Sequence, residues 1–335
     1  MRNARFQLVS MANILIIGRL PPPIGGVTIH VSRLIENLER IGFKNFDFAD
    51  LNEGLPGVLW KFATNRAIHL HVSNPYWQLC VALICRLLLK KLVVTYHGNW
   101  GRYDLAGNLS VTLSCWLAHT PIIQNEESFK KAFQWNKNAK LISTYLHSDH
   151  IAPLDPDTAS LLLNFTKKYK LITCTNAWNV AFDKYGKEIY GISELVEWAA
   201  ENESHALIIS DPSGNYAPFI KQKYQHISAN VLFLSIPHDF RNILKVSDAF
   251  IRNTSTDGVS LSICEAMELN VPVLASDSVS RPAHCRIFKS LWQLDVESEI
   301  VAGRKMLSGS NSELCGGEVI QRLIAVYREI LADRS

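Results

Sequence analysis

The chain has 335 residues, 47% hydrophobic and 19% charged, and its 34 Lys and Arg against 31 Asp and Glu leave a formal net charge of +3. At ~150 residues per domain, that length predicts about two domains, and the apolar content supplies a core for each, which excludes a disordered chain. So small a basic surplus, with no clustered stripe, excludes the usual nucleic-acid binder and leaves only weak attraction to anionic lipid.

The first predicted element is a buried strand at 13–18 (NILIIG). The loop RLPPPIGG follows, then a helix over 27–41 with apolar residues at Val27, Val31, Leu34, Ile35 and Leu38. Strands are predicted at 67–72, 91–96 and 121–124, and helices at 77–89, 105–117 and 126–135. Pro153, Asp155, Pro156 and Asp157 break the regularity. They predict a boundary after residues 1–150 and a linker over 151–168. A second alternation over 169–317 has strands at 170–174, 206–210, 231–234, 249–251 and 273–275. Its helices are predicted at 193–201, 217–226, 240–246 and 262–269. A last helix, in 318–335, is expected to pack back on the N-terminal domain. Strands alternating with helices imply parallel sheets covered on both faces. The expected fold is therefore α/β, with two Rossmann-like, doubly wound domains facing each other across a cleft. Ligands of such sheets bind at the carboxyl ends of the strands.

The seven cysteines are odd in number and lack CxxC spacing, so they read as buried thiols of a reducing cytosol, and no metal site is visible. The most apolar run, 79–89, is cut by Arg86 and closed by Lys90 and Lys91, short of the ~18 residues of a membrane span. The apolar run at the N-terminus is followed by no small-residue cleavage site and reads as a strand, which places the chain in the cytoplasm.

The most informative segment is 251–277, IRNTSTDGVSLSICEAMELNVPVLASD. Ser262 and Glu265 have capping-box spacing, which starts a helix near Ser262. Its free amides suit a pyrophosphate. Glu265 is placed to accept two ribose hydroxyls and Asp257 to accept those of a sugar further out. The bland alternative is a capping Glu265 and an Asp257 that makes an Asx turn.

This segment resembles the donor site of retaining glycosyltransferases of family 4, which have the GT-B fold. The matching residues are Asp257-Gly258, then Glu265-Ala266 and Pro272-Val273, with Asn270 where a helix-ending Gly is usual. Arg252, Thr254, Ser276-Asp277 and Arg281-Pro282 are similar to a bacterial polysaccharide and O-antigen subgroup. The resemblance covers roughly 13–290 and is specific mainly at 252–282. It implies a donor site of Gly25, Gly26, Asn176, Trp178, Arg252, Thr254, Asp257, Gly258, Val259, Ser260, Glu265 and Arg281. It also implies catalytic roles for His97, Asp257 and Arg252, and an acceptor side with His69, His71, Asn74 and Trp100. One departure stands out: Tyr190 occupies the place of the family's diphosphate lysine, leaving Arg252, Lys184, Lys187 and Arg281 as candidates to offset that charge.

The implied activity is metal-independent, retaining transfer of a hexose or N-acetylhexosamine from a nucleotide-diphosphate sugar, expected to be a UDP-sugar, with no cofactor. The acceptor is expected to be a glycan or undecaprenyl-linked saccharide of a surface polysaccharide such as lipopolysaccharide O-antigen. Arg86, Lys90, Lys91 and the loop from Trp100 to Arg102 suggest peripheral contact with the inner membrane face. Alternatives are a GT-B epimerase or phosphorylase, or a degenerate transferase that binds nucleotide sugar or carbohydrate without turnover. A dehydrogenase is disfavoured, because no GxGxxG follows a strand.

Overall fold

The computed structural model describes residues 14–183, 185–257, 260–308 and 318–332. They form two α/β units, one of 14–21, 27–147 and 318–332, the other of 22–26 and the described part of 148–308.

The first unit runs β1 (Ile14–Gly18), α1 (Gly26–Arg40), β2 (Phe46–Asp50), α2 (Leu55–Thr64), β3 (Ala67–Leu70), α3 (Pro75–Leu87), β4 (Lys91–Tyr96), α4 (Leu105–Leu117), β5 (Thr120–Ile123), α5 (Glu126–Trp135) and β6 (Lys140–Leu141). The strands form one parallel sheet in the order β2-β1-β3-β4-β5-β6. Every β1 residue is buried, because Leu15 and Ile17 enter one core while Ile14 and Ile16 enter the other. A strand covered on both faces reads as an unbroken apolar run, which is what ILIIG is.

The second unit runs α6 (Pro156–Thr166), β7 (Leu171–Asn176), α7 (Ile192–Glu201), β8 (His205–Ser210), α8 (Tyr216–Lys223), β9 (Val231–Leu234), α9 (Arg241–Leu244), β10 (Ala249–Arg252), α10 (Leu261–Glu268), β11 (Val273–Ser276), β12 (Cys285–Phe288) and α11 (Val296–Ser308). Its parallel sheet has the order β12-β11-β10-β7-β8-β9. The chain then supplies α12 (Val319–Ala332) to the first unit, where Leu323, Ile324 and Tyr327 join the core that holds Ile14 and Ile16.

The stretch 151–168 is not a linker. Asp155 caps α6 by accepting from the Thr158 amide at 3.0 Å, Pro156 occupies the first turn, and Leu162 and Phe165 enter the core. Asp followed by Pro is a helix start as well as a break, since a first-turn residue needs no amide donor. The contact boundary lies at 147/148.

Helix α10 starts at Leu261, with Ser260 as its N-cap and no side-chain cap bond, so the Ser262–Glu265 capping box is not formed. Its end follows the sequence. Asn270 has φ +56°, its amide donates to the Met267 carbonyl at 3.0 Å, and the Val271 amide donates to Ala266 at 2.8 Å. This is a Schellman closure with Asn in the left-handed position. An L side chain without a local polar group pays about 1–2 kcal/mol there. Asn270→Ala is therefore expected to lower the melting temperature, with a loss of about 1 kcal/mol, while Asn270→Gly keeps it at or above wild type.

Candidate functional site

In the second sheet the chain leaves β7 toward β8 and β9, and leaves β10 toward β11 and β12. Strands β7 and β10 are neighbours, so the switch point lies between their carboxyl ends, the usual ligand position of such sheets. Asn176 ends β7 and Arg252 ends β10. The Arg252 guanidinium donates to Asn176 Oδ1 at 3.0 Å and to Asp257 Oδ2 at 2.9 Å. Arg281 donates to the same Asp257 oxygen at 3.1 Å and to Thr254 Oγ1 at 2.9 Å. Further bonds from Arg281 to the Ser276 carbonyl and hydroxyl fix its plane.

All three charged side chains are buried: 8% of Arg252, 2% of Arg281 and 11% of Asp257 is exposed. Two guanidiniums and one carboxylate leave one net positive charge. Burial opposes the charge on Arg252, but Asp257 outweighs it and holds the pKa above the usual arginine value. For Arg281, burial prevails, Arg252 repels, and the pKa lies below the usual value despite Asp257. Removing one partner of a buried ion pair costs about 3–5 kcal/mol, so Asp257 is a structural necessity of this cluster.

The surrounding polar groups fit a ligand's approach. The Ser255 and Ser260 hydroxyls are buried without a hydrogen-bond partner. Ser260 stands at the N-terminus of α10, where uncapped amides favour an anion. Glu265 is 7% exposed, in the second turn of α10. Tyr190 lies under Arg252, 5.4 Å from ring centroid to guanidinium carbon. Where the resemblance leads one to expect a lysine, Tyr190 thus supports a cation instead of supplying one. Gly191 has φ +58° and precedes α7, and an added Cβ would stand 2.5 Å from the Asn253 carbonyl, so only glycine fits. Glu188 accepts from the first amides of α7, at 2.7 Å from Ile192 and 3.2 Å from Ser193. Trp178 is exposed on the loop after β7, and Lys187 is exposed beside Asp183. Gly258, Val259 and Lys184 lie outside the described residues.

In the first unit the expected acceptor side is rearranged. His71 is 1% exposed and lies between two other rings, so it cannot line a surface. It follows β3, a central strand covered on both faces. Asn74 spends its side-chain oxygen capping α3, accepting from Tyr76 and Trp77 amides at 2.9 and 3.1 Å. Trp100 packs beside Tyr96, 6.0 Å between centroids. Gly25 and Gly26 stand where α1 begins, with space for a Cβ at both. Lys90 and Lys91 reach backbone carbonyls rather than solvent alone.

The sequence pointed to His69, His71 and His97 one by one, but not to His30 or to the group that the four form. His97, partly exposed after β4, has its Nε2 3.2 Å from His71 Nδ1. His71 Nε2 is 3.3 Å from His69 Nδ1, and His30, from α1, stacks within 5.0 Å of His71. His30 Nδ1 donates to the Thr144 carbonyl at 2.6 Å. Burial lowers the His30 pKa to about 4, against the pull of that carbonyl, and lowers His69 to about 3. Burial and mutual repulsion hold His71 and His97 well below the usual histidine value. These residues come from three separate elements, and no pair has a ligand-like spacing except His69-Leu70-His71, whose alternation on one strand face was a usable signal.

No family model matches the chain, and no curated protein matches it in sequence. Solved structures do. HepE from Anabaena, in complex with UDP and glucose, aligns with TM-score 0.70 at 12% identity over 94% of this chain and 99% of that chain. Sucrose-phosphate synthase from Thermosynechococcus elongatus aligns with TM-score 0.68 at 16% identity over 96% of this chain and 99% of that chain. WaaG, a glycosyltransferase involved in lipopolysaccharide biosynthesis, aligns with TM-score 0.62 at 10% identity over 93% and 99%. Identities this low speak to architecture: the chain has the two parallel six-stranded sheets and flanking helices of the GT-B fold.

The histidine group sets a pH dependence. Its folded pKa values lie below the unfolded value near 6.5, so the unfolded chain takes up protons first as the pH falls. Stability is full above about pH 6.5 and is lost toward pH 4, by up to about 1.4 kcal/mol per pH unit for each neutral histidine. Melting temperatures across that window are expected to fall more steeply for wild type than for His30→Gln.

Proposed function

We propose that the chain is a glycosyltransferase that moves a sugar from a nucleotide-diphosphate sugar, a UDP-sugar, to a glycan or undecaprenyl-linked acceptor. The observation that carries this reading is the buried Arg252–Asp257–Arg281 cluster, with one net positive charge, at the β7/β10 switch point beside the uncapped start of α10. A buried cationic site invites a multiply charged anion, and a diphosphate presents oxygens that bind guanidinium in a fork.

In this reading the Arg252 guanidinium and the α10 amides meet the diphosphate. Their dipoles are aimed before the reaction, so they stabilise charge as it develops on the departing phosphate while the anomeric carbon becomes oxocarbenium-like. Asp257 acts as a positioning residue, since its Oδ2 holds both arginines. Glu265, buried in α10, accepts the ribose hydroxyls, and the unpartnered Ser255 and Ser260 hydroxyls donate to phosphate or sugar oxygens. Anomeric retention, independence of metal, hexosyl or N-acetylhexosaminyl transfer and a role in surface polysaccharide assembly belong to the same proposal, by resemblance. HepE with UDP-glucose and WaaG are neighbours compatible with it.

Nucleotide sugars are expected to raise the melting temperature selectively, one UDP-sugar more than UDP alone and GDP-sugars least. Glu265→Gln is expected to weaken UDP affinity at least about tenfold, with the unliganded melting temperature within a few degrees of wild type. Equal UDP affinity in that variant would remove Glu265 from the site.

Peripheral membrane contact is supported by α3 and α4, which pack against each other in the first unit. Tyr76, Leu83 and Leu87 form an exposed stripe on α3, and Leu105, Leu109 and Trp116 form one on α4. Apolar stripes of this kind mark interaction surfaces. No described helix is long and apolar enough to cross a membrane. The full chain is expected to co-sediment with anionic vesicles and to lose most of that binding in the double variant Leu109→Ser, Trp116→Ser.

A further inference from the structure

The histidine group in the first unit calls for more than core packing. We propose that His30, His71 and His97 form a binding site for one divalent transition-metal ion of the zinc class. The proposal stands on the first unit alone and does not depend on the transferase reading.

Three observations carry it. First, one nitrogen from each of the three rings lies within 4.8 Å of the others. One pair, His71 Nδ1 and His97 Nε2, is 3.2 Å apart. Two nitrogens bound about 2.05 Å from a tetrahedral ion stand about 3.3 Å apart, so this edge already has the size of a coordination tetrahedron.

Second, the tautomers are set for ligation. His30 Nδ1 faces the Thr144 carbonyl at 2.6 Å and must carry the proton, because a carbonyl only accepts. Its Nε2 is then a lone pair, and that atom is buried with no hydrogen-bond partner. A proton shared between His71 and His97 would satisfy their contact and still leave His30 Nε2 orphaned. An ion satisfies all three.

Third, a supporting shell orients the ligands, as metal-bound imidazoles require. His71 Nε2 donates to His69 Nδ1 at 3.3 Å, which leaves His71 Nδ1 as a lone pair directed at His97. The Tyr327 hydroxyl, 2.6 Å away, and His71 share the single lone pair of His69 Nδ1, while His69 Nε2 donates to Thr95 Oγ1 at 2.8 Å. The ring of His69 is thus fixed from two sides by groups on α12 and β4.

The placement is also one where ligands gather. His30 follows β1 on α1, His71 follows β3 and His97 follows β4, and β1 and β3 are the neighbours at which this sheet's strand order reverses. His97 is the partly exposed member and gives an ion its entry. Three nitrogen ligands leave the fourth tetrahedral position to an exchangeable ligand. His97 Nε2 faces the cluster, so any contact of this ring with a sugar falls to Nδ1, and the two roles do not exclude each other.

The test uses the full chain, stripped with a chelator and titrated with Co2+ alone and then with Zn2+. One Co2+ per chain is expected, with the intense visible bands of tetrahedral nitrogen coordination, displaced by one equivalent of Zn2+. His30→Gln and His97→Gln are each expected to weaken Co2+ at least about 100-fold, since even supporting residues are worth 10–100-fold. His226→Gln, at the surface, is expected to bind as wild type. Circular dichroism and melting of the metal-free variants separate lost ligation from lost folding. Should His30→Gln misfold, the partly exposed His97→Gln decides. Absence of saturable, stoichiometric Co2+ binding by folded wild type, or wild-type binding by folded His97→Gln, overturns the proposal.

Discussion

The second unit is organised by a single carboxylate oxygen. Asp257 Oδ2 takes a bond from each of two guanidiniums that are themselves out of water. Burying two cations side by side is unfavourable, and each raises the cost of the other. The carboxylate between them makes the arrangement possible, while Asn176 holds the plane of Arg252 and Thr254 and Ser276 hold that of Arg281. A cation pair held open in this way is preorganised: an arriving anion meets charge that needs no rearrangement. Tyr190 adds a polarisable face beneath Arg252, and Gly191 lets the chain pass close to Asn253 so that this face can be presented.

Much of the fold was legible because the strands are covered on both faces. Runs such as ILIIG and KLVVTY can only be central strands of a parallel sheet. Strand β2 escaped because FDFAD is an edge, half-buried and carrying two aspartates. Helix α6 escaped because its Asp-Pro start looks like a break. Helix α11 escaped because its buried face is only Val296, Ile300, Gly303 and Leu307, too sparse for a periodic signal.

The residues expected on the donor side, Arg252, Thr254, Asp257 and Arg281, lie in one short stretch, so sequence alone grouped them. What it left open was how they pair, and there the geometry changes the roles: Asp257 supports arginines, and the expected capping box gives way to an uncapped Ser260. The first unit shows the opposite case. His30, His71 and His97 are separated by more than a dozen residues each, and only the adjacency of β1, β3 and β4 joins them. Asn74 and Trp100 were legible as polar and aromatic loop residues, but a helix cap and a core contact claim them first.

The route of the chain carries one more consequence. Helix α12 covers Ile14 and Ile16 and brings the Tyr327 hydroxyl to His69, yet every residue of the second unit is made before it. During synthesis one face of the first sheet is therefore covered only in part, by Leu34 and Leu38 of α1, until the last helix emerges. Folding in the order of translation is open to the second unit but not to the first, whose nascent form must rely on its other covered face, or on a chaperone, to avoid sticking to its neighbours.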